Sequence, residues 1–380
     1  MRLLFQYLSG GGGGLSNVIL LLKAYVREFP QDELIITCSE DSELNQLSCF
    51  KNVTMVRVPW GRFKEWTRFV LGVNGLKKLA EQYNVDVVWS LNLGSYFRLP
   101  VPNFLAINNP HQVYPWEVTR FHPKNRFSVA LLRLFFRLSL RSADAVLVQT
   151  HLMAGYVKKI SAAPKNVFVV PKAAEPGADV QASRLPIELA GKLELAKQRG
   201  FRRWLYVSTA MPHKNHRVLF DAFSELARRG SSDCLVLSIT QEEALSIGGT
   251  DVSALMEVDR LIFTGWVKKE HLRAIYEACD ACVMPSLLES LSSAHLEAMK
   301  WEKPQIVADL PYARDLCGDA AIYVDANDSF AWVNAVQMLG ENLSIQQNLI
   351  TKGRCKIAEF PEEWEECAKQ IRGKITSLLK

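Results

Sequence analysis

Two glutamates and a lysine are the residues of this sequence best placed to act on a ligand. Glu289 and Glu297 stand eight residues apart in a stretch that begins at Pro285. The apolar run Ala281-Cys282-Val283-Met284 reads as a buried strand that Pro285 ends. Small polar residues follow as a turn, and Ser292 or Ser293 suits the N-cap of a helix running through Leu296, Met299 and Trp301. Positions eight apart on one helix lie about 80° apart, so the two carboxylates would not share a stripe. Glu289 is therefore expected in the loop and Glu297 on the helix, both at the carboxyl end of a strand, where open α/β sheets bind ligands. The N–H groups of the helix start, around Leu291, Ser292, Ser293 and Ala294, suit an anion such as a diphosphate. Lys214 follows an earlier strand and would neutralise a phosphate from the same sheet edge. Spacing alone also allows two solvated glutamates and a surface lysine.

Those residues need sheets to carry them, and the pattern supplies two. Leu3 to Leu8 reads as a strand, Gly10 to Gly14 as a turn and Leu15 to Phe29 as a helix. Glycines let backbone N–H groups approach a phosphate, which makes Gly12 and Gly13 candidate substrate contacts. The run lacks the spaced dinucleotide fingerprint, and a loop that merely flexes over a cleft explains it as well. Further strands are expected at 34–37, 53–58, 85–89, 101–108, 145–148 and 167–170, with a long helix over Arg126 to Arg141. His111 follows the fifth of these seven strands in a proline-rich loop, and is a candidate contact for a sugar or an acceptor, or an ordinary surface histidine. Lys172 to Gly200 reads as a linker with an irregular entry to a second α/β unit. That unit has strands at 204–207, 234–239, 261–265, 281–284, 305–308 and 321–324, and helices at 218–229 and 269–278.

The length of 380 residues fits two domains. Net charge is +5, but residues 1–172 carry +10 and the remainder −5. Arg57, Arg62, Lys64 and Arg68 interleave with Trp60, Phe63, Trp66 and Phe69, and Arg133, Arg137 and Arg141 recur every four residues beside Phe135 and Phe136. Tryptophan mixed with cations is the composition of a membrane-interface surface, or of a solvated face over core aromatics. No nucleic-acid motif accompanies the charge. The first apolar run is too short for a signal-peptide core or a spanning helix, so a cytoplasmic protein with free thiols is expected, possible contact with the inner face of the membrane aside. Cys279 and Cys282 have metal-pair spacing without a second pair, and are expected to be buried structural thiols.

Taken in order, these motifs resemble the metal-independent, retaining GT-B glycosyltransferases with an E-x7-E signature, glycosyltransferase family four. The resemblance rests on Val207-Ser208-Thr209 through Pro212-His213-Lys214-Asn215, on Phe263-Thr264-Gly265, on Pro285-Ser286 through Glu289 and Glu297-Ala298-Met299 to Pro304, and on Gly318-Asp319-Ala320-Ala321. It spans most of Trp204 to Val324 and is weaker before that, where the glycine loop, His111 and the arginine-rich helix carry it. It implies two Rossmann-like doubly wound domains facing across a cleft. Residues 1–175 would form the acceptor side, 176–360 the nucleotide-sugar side, and a final helix over 361–380 would cross back onto the first. It further implies that Glu297 binds the nucleotide's ribose, Glu289 and His111 the transferred sugar, and Lys214 the diphosphate, with the N–H groups around Leu291 to Ser293. Many members carry an arginine just before the lysine; here Ser208 and Thr209 stand there, so hydroxyls and backbone, or an arginine from elsewhere, would share the diphosphate.

The activity implied is transfer of a hexose, mannose for preference, from a GDP- or UDP-linked donor to a saccharide or polyprenyl-linked acceptor of a bacterial surface polysaccharide. No cofactor or metal is called for, and no Asp-x-Asp is present. Retention would follow from same-face attack, the leaving phosphate helping to deprotonate the acceptor. The rival readings are a catalytically silent sugar-nucleotide or glycan-binding subunit and a sugar-nucleotide epimerase. Two-carboxylate glycoside hydrolysis is disfavoured, because Glu297 would face the nucleotide rather than a glycosidic bond.

Overall fold

A computed structural model describes residues 1–7, 13–59, 64–119, 126–160, 163–174 and 183–379. The chain divides into two compact units. Met1–Thr119, Lys124–Ala173 and Pro361–Lys380 gather into the first, and Ala174–Phe360 builds the second.

Unit 1 holds a parallel sheet of seven strands: β1 (Arg2–Gln6), β2 (Glu33–Cys38), β3 (Val53–Arg57), β4 (Val87–Leu91), β5 (Asn103–Ile107), β6 (Ala145–Val148) and β7 (Asn166–Val169). Their spatial order is β3-β2-β1-β4-β5-β6-β7, reversing direction between β1 and β4. Helices cover both faces of such a sheet, so central strands read as nearly unbroken apolar runs. Leu4 of β1 lies between Ile35 of β2 and Val88 of β4, all three buried. The last helix, Trp364–Leu378, buries Cys367, Ala368, Ile371 and Ile375 in the same core as Leu3, Phe5 and Leu22, beside the first helix, Gly13–Glu28. Arg372 secures it, donating through Nε to Asp32 Oδ2 at 2.7 Å, where Tyr25 also donates at 2.9 Å.

Unit 2 repeats the plan with β8 (Arg202–Tyr206), β9 (Asp233–Leu237), β10 (Leu261–Phe263), β11 (Ala281–Met284), β12 (Gln305–Ala308) and β13 (Ile322–Val324). Their order is β10-β9-β8-β11-β12-β13, all parallel, with the reversal between β8 and β11. Structural ion pairs occupy the amino edge: Asp233 accepts from Arg202 and from the Trp204 indole, and Asp280 from Arg203. The carboxyl edge is left for other work.

Three expectations need correction. Gly13 opens the first helix, and Gly14 is helical as well rather than part of a turn; Gly12 lies outside the described residues. The entry to unit 2 is not irregular throughout, because Ile187–Gln198 is a helix. Its face is hard to read: only Leu193 and Ala196 are buried, while Ile187 is 93% exposed. Finally, the arginine stripe of the long helix Arg126–Ser142 is not all solvated, since Arg133 turns inward. Among the described residues no helix is long and apolar enough to cross a membrane.

Candidate active site

The loops leaving β8 and β11 are neighbours, because those strands pair directly, Trp204 beside Ala281 and Leu205 beside Cys282. A reversal of strand order opens a crevice outside the carboxyl ends of the two strands, which is where ligands bind. Lys214 and Glu289 meet there.

The β8 loop closes through a short turn, Pro212–Lys214, and Asn215 then enters the left-handed region at φ 56° before helix His216–Arg228 begins. Asparagine tolerates that conformation better than most residues. Its side-chain amide donates to the Ala326 carbonyl at 2.7 Å and to the Pro285 carbonyl at 3.3 Å, fastening the loops after β8, β11 and β13 to one another. Tyr206, buried at the end of β8, donates to the Lys214 carbonyl at 2.8 Å, and its hydroxyl lies 2.7 Å from Ser286 Oγ. Leu287 N–H donates to the His213 carbonyl at 2.7 Å. The backbone on both sides of Lys214 is thus fixed. Asn215→Ala would place a Cβ-bearing residue without local hydrogen bonding in the left-handed region and remove two bonds. A loss of about 2–3 kcal/mol is expected, read by chemical denaturation.

Lys214 Nζ donates to Glu289 Oε1 at 2.5 Å, with 18% and 13% of the two side chains exposed. Burial raises the Glu289 carboxyl, but the Lys214 ammonium, with lesser help from His295 and His213, outweighs burial and holds it below its ordinary value. Glu289 lies in the loop as expected, and Glu297 lies on the helix Ser293–Lys300. Tyr276 donates its hydroxyl to Glu297 Oε2 at 3.0 Å, and burial together with the Glu297 charge keeps that phenol protonated. Lys269 is pushed down to about 8 by burial, partly offset by the charge of Glu297. The second glutamate therefore sits within its own supporting group.

Ser292 holds the N-cap position with extended backbone, but its hydroxyl makes no capping bond. Leu291 and Ser292 are buried and Ser293 is half-buried. Of the two residues that stand before Lys214, Thr209 is exposed, while Ser208 Oγ lies 3.0 Å from His216 Nε2. Burial pushes His216 down to about 3, which keeps it neutral. Cys279 and Cys282 are buried with thiols raised by burial, as structural cysteines should be. Among the described residues no three of His, Cys, Asp and Glu gather as a metal site.

His111 is on unit 1, and not in an open loop. It occupies the short helix Pro110–Val113, which Asn109 caps by accepting from its N–H at 3.1 Å, and it is buried. Arg133 secures that helix through bonds to the His111 and Tyr114 carbonyls at 3.1 and 2.7 Å. Sequence reasoning met Asn215 and Arg133 only within a motif and a charge stripe, and gave neither of them, nor Tyr276, a supporting role. For Asn215 a signal existed, since asparagine enters the left-handed region more readily than most residues.

Two family models match the chain, Glycosyltransferase Family 4 over residues 12–176 and Glycosyl transferases group 1 over residues 202–342. O-antigen chain mannosyltransferase B of Escherichia coli is 26% identical over 287 residues, covering 73% of this chain and 71% of the relative. Sucrose-phosphate synthase from Thermosynechococcus elongatus superimposes with a TM-score of 0.74 at 17% identity, covering 99% of this chain and 98% of its own. Anabaena HepE, solved in complex with UDP-glucose, does so with a TM-score of 0.72 at 14% identity, covering 99% and 100%. A family model matches each half, and the two parallel-sheet units are those of the GT-B architecture: the chain belongs to the glycosyltransferases of group 1 and family 4.

Proposed function

We propose that the protein is a retaining glycosyltransferase that needs no metal and moves a hexose, mannose for preference, from a GDP- or UDP-linked donor. The acceptor is a saccharide or polyprenyl-linked saccharide in bacterial surface-polysaccharide synthesis, met at the inner face of the membrane. The observation that carries this reading is the Lys214–Glu289 pair at the strand-order reversal of unit 2, beside the start of helix Ser293–Lys300. The similarity to an O-antigen mannosyltransferase supports the choice of sugar and pathway, and a structural neighbour solved with UDP-glucose supports a nucleotide-sugar donor.

As the nucleoside diphosphate leaves the anomeric carbon, negative charge grows on its phosphate oxygens. A fixed ammonium and helix N–H groups stabilise that charge without reorganising. Lys214 supplies the ammonium, with Leu291, Ser292 and Ser293 beside it. Glu289 then accepts from the sugar hydroxyls and Glu297, steadied by Tyr276, from the ribose hydroxyls. The leaving phosphate helps take the acceptor's proton on the same face, which retains configuration. His111 is assigned a contact with the sugar or acceptor, and Thr209, Gly12 and Gly13 lesser contacts with the donor. Ser208 is already engaged, its Oγ beside His216 and its N–H donating to Ser238 Oγ at 2.7 Å, so its part is to fix the loop that carries Lys214.

Thermal stability of the metal-free protein against a panel of nucleotide sugars tests this. A ligand at a hundred times its Kd adds about 2.7 kcal/mol, a rise of several degrees. One nucleotide is expected to give that rise, and Glu297→Ala to lose it; the anomeric configuration of the product, read by NMR, then reports retention. No rise with any donor would favour a silent binding subunit, and conversion of the donor without acceptor an epimerase.

A further inference from the structure

The long helix of unit 1, Arg126–Ser142, has one face more than the fold needs. Val129, Phe136 and Leu140 are buried. Phe127, Leu131 and Leu134, at i, i+4 and i+7, form a second stripe that stays in solvent, Phe127 being 77% exposed. The stripe does not end at the helix edge. Phe135 stacks on Tyr96 at 5.2 Å, Phe69 packs 6.1 Å from Phe135, and Trp66 lies 5.7 Å from Phe69. Trp66 is 65% exposed, and Val70 and Val73 extend the apolar surface. Gly72 is needed for this assembly, since a Cβ there would come within 2.5 Å of the Tyr96 ring.

The other flank is cationic. The helix carries four arginines and no carboxylate. Arg133 and Arg137, with Lys159, Tyr114 and Tyr156, line a cavity of about 270 Å³; none of its described lining residues is a carboxylate, and the one carboxylate whose charge acts on Arg133, Glu117, is not among them. Arg133 is occupied in holding the His111 helix, and Arg137 is exposed beside it. An exposed aromatic and aliphatic ridge next to a cation-lined hollow combines the two requirements of an anionic lipid surface, an apolar element to enter the interface and positive charge for the headgroups. An aqueous protein partner would explain the ridge but not a hollow lined by three cations.

We propose that this face of unit 1 seats the protein on an anionic membrane, the ridge entering the headgroup layer and the Arg133–Arg137–Lys159 hollow taking a lipid phosphate. The inference deepens the reading of a membrane-borne acceptor and rests on it, but it concerns surface residues apart from the donor site. The part of the basic stretch around Trp60, Arg62 and Phe63 lies outside the described residues and is not needed.

Sedimentation with vesicles of phosphatidylcholine alone, and of phosphatidylcholine mixed equally with phosphatidylglycerol, decides the matter. The full chain is expected to bind the mixed vesicles at least tenfold more tightly. Arg137→Glu with Lys159→Glu should remove most of that preference, and Phe127→Ser with Leu134→Ser should weaken binding to the mixed vesicles. Both pairs lie at the surface or at the cavity rim, so their melting temperatures and donor-induced shifts should match the parent. Equal binding to the two vesicle types would overturn the proposal, as would unchanged binding by the charge-reversed variant. So would stabilisation by inorganic phosphate, or self-association through the ridge, without vesicle binding. Sugar transfer to a soluble acceptor without vesicle binding would sink this inference alone, and vesicle binding without any transfer would sink the enzymatic reading alone.

Discussion

Lys214→Ala is expected to lower kcat/KM for sugar transfer by about 10²–10³-fold, the usual cost of removing one fixed donor to a developing oxyanion. The loop should survive the change. Tyr206 and the Asn215 amide hold its backbone, and neither uses the lysine side chain. What is lost is the charge. With its partner gone, the Glu289 carboxyl rises from its depressed position, because burial then acts on it with less opposition. Glu289→Gln is the informative companion: it leaves Lys214 charged but unpaired, so donor affinity should hold better than turnover if the glutamate serves the sugar. Steady-state kinetics and the donor-induced thermal shift separate the two. A loss below tenfold in Lys214→Ala would remove this lysine from the diphosphate site.

Arg372→Leu is expected to destabilise unit 1 by about 1–3 kcal/mol, since it takes the guanidinium from a carboxylate whose side chain is 1% exposed and leaves it only the Met1 ammonium and the Tyr25 hydroxyl. At roughly 2–4 °C per kcal/mol the melting temperature of that unit should fall by roughly 2–12 °C. The guanidinium also covers the Phe29 ring at 4.6 Å, so packing is lost with the charge. The pH dependence has a definite sign. Burial raises the Asp32 carboxyl, but the hydrogen bonds from Arg372, the Met1 ammonium and Tyr25 prevail and hold it below its ordinary value. A depressed carboxylate contributes stability that is present above its unfolded pKa, about 3.9, and lost as pH falls through the folded value. Denaturation curves should therefore show parent and variant far apart at neutral pH and converging in acid. A constant gap would mean that packing, not the ion pair, holds the helix.

Much of the fold was legible because parallel strands buried on both faces leave dense apolar runs. Ala145–Val148, Ala281–Met284 and Gln305–Ala308 have the expected ends, and other strands differ by a residue or two where hydrogen-bonded register, not hydrophobicity, sets the limit. The helix Ile187–Gln198 escaped because a helix that buries two side chains has almost no periodic signal. The placement of Glu289 in a loop and Glu297 on a helix followed from angular geometry together with the strand end at Pro285 and the serines that suit an N-cap. Which residues support them did not. Tyr276 reaches Glu297 across 21 positions and Asn215 reaches Ala326 across 111, separations at which one sequence offers no pairing rule. His111 illustrates the reverse error: a proline-rich stretch suggested a loop, but proline in the first turn of a helix is favoured, and Asn109 supplies the cap.

The closing helix has a consequence for how the protein is made. Unit 1 begins with the first strand, yet the side chains of Ile371 and Ile375 that complete its core are synthesised only after Ala174–Phe360. Ala174–Phe360, by contrast, is continuous. On the ribosome, unit 2 can reach its native state while unit 1 still lacks a wall, leaving Leu3, Phe5 and Leu22 to wait with incomplete cover for the whole of unit 2's translation. At about 5–20 residues per second that wait lasts tens of seconds at the slow end, so the nascent first half is where chaperones should be found.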